Sequence, residues 1–394
     1  MTARQYVDGS LVGSANESKS ISPADGSVLG TYADADAQQA TQAITAARRA
    51  FEQTDWARDR RLRHRVLTEI AYAVERHSDE LVLMLARENG KILKDAAFEV
   101  GLAVPKFRYY AALAISQGGR ASEVSPGLQM SSVPEPIGVA GIITPWNSPV
   151  ALLARSLAPA LAAGCTVVVK LPGQTGMVNG LFHQLLSEIP SLPAGVVSSM
   201  TESGDDVVVQ QGIADELRDR LVESLSAVRV GPGDDPQSQM GPMIDAANAR
   251  RVDELVEEAA KKGTVLVRGG LRAPGSAFYH PSLIAIDDPT LDLVQHEVFG
   301  PVATFETFAS EDDAVRLANC TEYGLAASVW TRDVDRPRRI GSRLQVGTVW
   351  TNTWAVVVDE YEEGGFKQSG IGRLNGLRGL EEFQEFKTYA HFTG

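Results

Sequence analysis

Cysteine is nearly absent: Cys165 and Cys320 are the only two in 394 residues. That number excludes a disulfide framework, and their separation excludes a CxxC pair for zinc or redox exchange, so two reduced thiols are expected. Basic charge is also in short supply, with 37 Lys and Arg against 50 Asp and Glu and a formal net charge of −13. A surface of that sign repels nucleic acid and anionic membranes, which disfavours both as principal partners while leaving room for a local basic patch. No apolar run suits a bilayer. The most apolar stretch, VALLARSLAPALAAGCTVVV, carries Arg155 and Pro159 and has Gly164 ahead of its β-branched end, so it reads as helix, turn and strand. The opening MTARQYVDGSLVGS lacks the apolar core of a signal peptide, so a cytoplasmic location is expected. Internal repeats and low-complexity tracts are missing too.

What remains is a composition with 44% hydrophobic residues, enough for a large core divided into two or three lobes. From DADAQQATQAITAARRAFEQ through KFRYYAALA, apolar residues recur at helical spacing, which predicts a first lobe opening with several packed helices. The period then changes. VPEPIGVAGIITPWN and CTVVVKLPGQT are short, β-branched and bounded by Pro and Gly, as buried parallel strands are. Between them SPVALLARSLAPALAAG predicts a helix that Asn147 or Ser148 can cap, with Pro149 in its first turn and Gly164 at its exit. A further helix, GMVNGLFHQLLSEI, and a strand, AGVVSSM, extend the alternation to half of a doubly wound nucleotide-binding sheet. An amphipathic helix is expected to begin near Ile213, and the helix RVDELVEEAAKKG, the strand TVLVRGG and later alternations predict a second α/β lobe. The tail EFQEFKTYAHF alternates apolar with polar residues and can add an edge strand to a neighbouring subunit.

Six stretches in this order, VPEPIGVAGIITPWNSP, LAPALAAGCTVVVK, SQMGPMID, HEVFGPV, TEYGLAASVWT and GGFKQSGIGR, closely resemble the NAD(P)-dependent aldehyde dehydrogenase superfamily. The resemblance implies an α/β fold with a doubly wound nucleotide-binding sheet, here incomplete, a second α/β lobe and a bridging oligomerisation arm. It implies three regions: residues 1–206 as the remnant of the cofactor-binding domain with an arm strand near 125–140, 207–370 as the remnant of the catalytic domain, and 371–394 as a C-terminal arm. Relatives continue past the strand matching AGVVSSM through an FTGS-type loop, an ELGGK-type strand and the nucleophilic cysteine, none of which occurs here. The match resumes around VVVQQGIADEL, so roughly a hundred residues are expected to have no counterpart, the thiolate and the water-activating glutamate among them. Cys165 and Cys320 are read as packing residues, with no base spaced to activate either.

The same resemblance implies what each remaining site residue does. Lys170 occupies a cofactor-binding position, but Gly173 stands where relatives carry a glutamate for the adenosine ribose. Glu297 and Phe299 match residues on the nicotinamide side, or form a turn that packs against the sheet. No cofactor is therefore expected, with NAD(P) as the family-based alternative. Asn147 matches an oxyanion-hole amide and is also a plausible cap. Arg155 and Ser148 replace apolar or aromatic channel residues, and Glu362 and Glu363 stand in place of Pro-Phe. Two outcomes stay open: Arg155 and Glu363 serve a polar or carboxylate-bearing small molecule, with Asn147 completing the site, or they pair with one another or face water. The function expected is that of a family member without the aldehyde-oxidation centre, acting in ligand binding, as an accessory subunit or in lyase- or hydratase-type acid–base chemistry. The alternatives are an NAD(P)-dependent dehydrogenase acting with an intact partner, and an inert deletion product. A homo-oligomer, dimer or tetramer, or a hetero-oligomer with an intact relative, is expected.

Overall fold

The computed structural model describes residues 2–202 and 215–393. Four helices open the chain after a short β-rich segment: α1 (Ala37–Gln53), α2 (Arg60–Arg76), α3 (Ser78–Glu88) and α4 (Leu93–Ser116). Aspartates start the first two, Asp36 accepting from the Gln39 amide and Asp59 from the Arg61 and Leu62 amides, as the preference for acidic N-caps predicts. The apolar stripes of α2 and α4 face each other and bury Val66, Leu67, Ile70, Val100 and Phe107 in the main core.

The expected βαβαβ pattern follows. Strands Val139–Ile143, Thr166–Pro172 and Val197–Glu202 run parallel, with Val139 opposite Thr166 and Val197 opposite Val167. Helices α5 (Pro149–Ala163) and α6 (Gly176–Ser187) make the two crossovers. At the far edge the N-terminal strand Gln5–Val7 pairs antiparallel with Val197–Glu202, and Ser10–Val12 completes a sheet of five. At the near edge, Val139–Ile143 has no further strand beyond it among the described residues, and Ile143 is 80% exposed.

The second lobe contains α7 (Asp215–Ser226) and α8 (Ala246–Ala260), a three-stranded sheet of Thr264–Val267, Ser282–Ala285 and Val302–Phe305, and a parallel pair, Ala326–Val329 with Thr348–Thr351. Its own core gathers Val252, Val256, Tyr279 and Ile284. The expected start of α7 near Ile213 lies outside the described residues.

The tail forms the strand expected of it, at the edge of a three-stranded sheet. The tail strand Gln384–Phe392 pairs antiparallel with Leu128–Pro136 of its own chain over nine registers, and Arg120–Ser125 lies on the other side. One edge of the tail is thus satisfied internally, because the arm hairpin offers a matching extended partner within the same chain. Among the described residues no helix is long and apolar enough to cross a membrane, and no cluster of metal-ligating side chains occurs.

Candidate functional site

The site is built on the turn entering α5. Pro149 occupies the first turn of that helix and Gly164, at φ 103°, ends it in the left-handed conformation, as the sequence requires. The expected caps do not form. Ser148 is at the N-cap position, but neither its side chain nor that of Asn147 bonds to the helix amides. Glu99, reaching across from α4 and only 3% exposed, takes that place: its Oε1 accepts from Val150 N at 2.9 Å and Ala151 N at 3.3 Å. A carboxylate at a helix N-terminus satisfies orphan donors and complements the dipole more strongly than an amide or hydroxyl, which is why it wins. Lys91 Nζ lies 2.7 Å from Glu99 Oε2 and donates to Ser148 Oγ at 3.1 Å. Relieved of capping, Asn147 has a buried Oδ1 without a hydrogen-bond partner, as has Thr144 at Oγ1.

Two turns into α5, Arg155 Nη1 lies 3.0 Å from Glu363 Oε2, each side chain 27% exposed. The structure therefore brings the two together. Glu363 is held in place twice over: its backbone exchanges hydrogen bonds with Leu374 at 2.7 and 2.8 Å, and its carboxylate accepts from Asn375 Nδ2 at 3.3 Å. Asn375 in turn accepts from the buried ammonium of Lys106 at 2.8 Å, and Lys106 pairs with Asp359 at 2.6 Å. The result is a polar chain from Asp359 through Lys106, Asn375 and Glu363 to Arg155, spanning α4, α5 and the loop before the tail. Glu362 points elsewhere, its Oε1 lying 3.4 Å from the Arg378 amide. Arg155 Nε is buried with no acceptor. Thr144 Oγ1, Asn147 Oδ1 and Arg155 Nε are thus buried polar atoms without a hydrogen-bond partner along one strand, turn and helix, where buried polar atoms are usually paired.

The family-derived cofactor positions are dispersed in their roles. Lys170 lies within the parallel strand Thr166–Pro172, half-buried, and Gly173, which follows that strand, brings no carboxylate. Phe299 has a positive φ of 50° and sets its ring edge-on to Trp146 at 4.7 Å between centroids. The turn carrying Phe299 and Glu297 thus packs the second lobe onto the residue preceding Asn147. Cys165 is fully buried, its thiol donating to the Phe383 carbonyl at 3.4 Å and pushed up in pKa by burial. Cys320 is partly buried against the second core, and burial with Glu306 nearby raises its thiol as well.

Sequence reasoning missed Glu99, Lys91, Lys106, Asp359 and Asn375. A charged residue on an otherwise apolar helical face was the available signal for Glu99 and Lys106, since such a residue is buried only when paired.

The comparisons with known proteins agree on one family. The aldehyde dehydrogenase family matches residues 11–208 and 203–389. Betaine aldehyde dehydrogenase of Bacillus subtilis (strain 168) is 29% identical over 474 residues, covering 98% of this chain and 97% of that protein. The 3-sulfolactaldehyde dehydrogenase of Pseudomonas putida is 30% identical over 467 residues, covering 97% and 95%. Among solved structures, betaine aldehyde dehydrogenase from Staphylococcus aureus in complex with NAD+ superposes with a TM-score of 0.93 at 28% identity, covering 100% of this chain and 95% of that one.

Proposed function

This chain belongs to the aldehyde dehydrogenase family, and from that premise we propose that it is a member without the thiolate and carboxylate of aldehyde oxidation, which uses Arg155 to hold a small anionic molecule. The loss of the oxidation centre is supported by the lengths. The 474 positions aligned with the Bacillus relative exceed the 394 residues of this chain by 80, so at least that many positions of the relative face nothing here. The two family matches meet at residues 203–208, the junction where those positions would be inserted. Neither remaining thiol compensates, because burial raises both and leaves little thiolate to attack a carbonyl.

The observation that carries the ligand is the half-satisfied guanidinium. Glu363 engages Arg155 at Nη1, while Nε has no acceptor. A carboxylate or sulfonate offers two oxygens that match the Nε and Nη2 edge in a bidentate pair. Asn147 adds an amide at the turn that enters the same helix. The Pseudomonas relative is named for 3-sulfolactaldehyde, an anionic aldehyde, which is consistent with an anion in this region of the fold. If the site turns over its ligand, Glu363 is the acid or base within reach, which fits lyase- or hydratase-type chemistry.

The residues present do not fit NAD(P) well. Among the described residues the parallel sheet stops at Val139–Ile143, and Gly173 supplies no carboxylate for a ribose. The same open sheet edge favours one other reading, in which an intact relative supplies the missing part in a hetero-oligomer and aldehyde oxidation follows. The exposed arm strands give either a homo-oligomer or such a complex a surface on which to assemble.

Two measurements on the chain alone test the first reading. Purified protein is incubated with NAD+ and a panel of aldehydes, and succinate is titrated calorimetrically into wild type, Arg155→Ala and Glu363→Gln. We expect no growth of reduced-nicotinamide absorbance and a succinate affinity at least about tenfold weaker in Arg155→Ala. Reduction of NAD+ by the chain alone overturns the loss of the oxidation centre. Equal succinate binding in Arg155→Ala overturns the site.

A further inference from the structure

The first turns of α2 read RRLRHR, five basic or imidazole side chains in six positions at the positive end of a helix dipole. Cations there oppose the dipole, so each needs another reason to be present. Arg63 has one: it is buried and donates to the carbonyls of Trp56, Ala57 and Ala162. Arg60 donates to the Gln117 carbonyl, and His64 donates through Nδ1 to the Ala111 carbonyl at 2.9 Å. Arg61 and Arg65 have none, for no side-chain hydrogen bond or ion pair engages either guanidinium among the described residues. Arg76, Arg87 and Arg108 each stand within 4 Å of a carboxylate, whereas Arg61 and Arg65, on successive turns, leave two adjacent guanidiniums available to an anion in a chain of net charge −13.

Both line a surface groove of about 600 Å³ whose floor is the solvent face of α2 and whose side is Ile115, in the last turn of α4. Spacings of three and four residues put Arg61, Arg65, Thr68 and Tyr72 along one stripe of α2. The stripe is graded. Its N-terminal end carries the two free guanidiniums, and its far end carries the ring of Tyr72, 56% exposed, beside Ile115, 49% exposed. At 1.5 Å per residue the charged and apolar ends are separated by about 10 to 16 Å. The one carboxylate in the groove, Glu69, is already committed to Ser191, accepting from its hydroxyl at 2.9 Å and its amide at 3.2 Å. Arg108, over the Tyr72 ring at 5.5 Å, is neutralised by Glu75 at 2.7 Å.

We propose that this groove binds an elongated amphipathic carboxylate, its head paired to Arg61 and Arg65 and its apolar body laid along Tyr72 and Ile115. The charge complementarity is direct. Two unpaired guanidiniums match a carboxylate head, and a volume of this size lies in the range of small-ligand sites, roughly 300–1,000 Å³. The site is separate from the one at Arg155 and stands or falls without it.

Decanoate is the probe, titrated calorimetrically into the full chain, with decanol as the neutral control and Arg61→Ala/Arg65→Ala and Arg155→Ala as variants. Saturable one-to-one binding of decanoate is expected, weakened about tenfold or more in the double variant, unchanged in Arg155→Ala, and stronger than decanol binding. The double variant folds at least as well as wild type, because it removes two cations from the positive end of the helix, and its thermal midpoint is measured alongside. Absence of saturable binding, equal affinity in the double variant, or equal affinity for decanol overturns the proposal. A lowered thermal midpoint in the double variant shows that the arginines serve the fold, and overturns it too.

Discussion

Lys106 Nζ and Asp359 Oδ1 stand 2.6 Å apart although 253 positions separate them in the chain. The pair fastens the loop after the strand Thr348–Thr351 to the longest helix of the first lobe, and through Asn375 it fixes the carboxylate that faces Arg155. Replacing Lys106 by Met keeps the aliphatic bulk but leaves Asp359 without its cation. Breaking a buried pair from one side costs about 3–5 kcal/mol, and the partial exposure of Asp359 places the expected loss at the lower end. A urea unfolding midpoint measured for Lys106→Met, Asp359→Asn and the double variant checks this through the coupling of the cycle. Additive single effects would show that the contact contributes nothing of its own.

Glu99 plays a comparable part at α5. Glu99→Ala removes both the acceptor for two helix amides and the partner of Lys91, so a destabilisation of about 2 kcal/mol or more is expected. Glu99→Gln keeps an acceptor at the amides and should recover part of it. Asn147→Ala, which caps nothing, should leave stability near wild type. A large loss in Asn147→Ala would mean that its side chain carries the turn after all.

Much of this architecture could be read from the residues, and the misses have a common cause. The short β-branched runs around Val139 and Thr166, bounded by Pro and Gly, the Pro149 start and the Gly164 stop each encode local geometry, and the strands and α5 appear where those signals put them. The pairing of Arg155 with Glu363 was one of two outcomes their positions allowed. The cap on α5 was not legible, because the residue that provides it lies 51 positions upstream on another helix. Local rules favour Asn and Ser at that place, and a tertiary carboxylate overrides them. The tail strand was legible as a strand and not as to its partner, since alternation fixes which face is apolar but says nothing of which edge it joins.

Two buried titratable groups give opposite pH dependences. Burial pushes Glu88 up to about 7, although it accepts from Ser20 Oγ and the Met177 and Val178 amides. A raised folded pKa means that the contribution of Glu88 is complete below its unfolded value and is lost as pH rises through about 7. Burial lowers His183 to about 4, where Nδ1 donates to the Arg4 carbonyl and Nε2 accepts from Ser199 Oγ. Its contribution is complete above its unfolded value and is lost as pH falls toward about 4. Between about pH 4.5 and 6.5 the two slopes oppose each other, each on the order of 1.4 kcal/mol per pH unit at most. Urea midpoints across that window should therefore climb with pH in Glu88→Gln and fall with pH in His183→Asn, relative to wild type. Parallel pH profiles in all three proteins would remove both groups from the account.

The thiols offer the sharpest check on the chemistry. Cys165 has no exposed surface, its Sγ is directed at the Phe383 carbonyl, and burial raises its pKa. Cys320 is only partly covered, though it too is raised, by burial first and by Glu306 second. Thiolate is the reacting species, so neither should behave like an activated nucleophile at neutral pH. With an aromatic disulfide reagent on native protein, we expect one slow reacting thiol, absent in Cys320→Ser, and a second that reacts only when urea unfolds the chain. Rapid native-state modification that begins at pH well below 7 would reveal a thiolate stabilised by a nearby cation. In that case the capacity for covalent attack on an aldehyde would survive in a residue that geometry and burial both assign to packing.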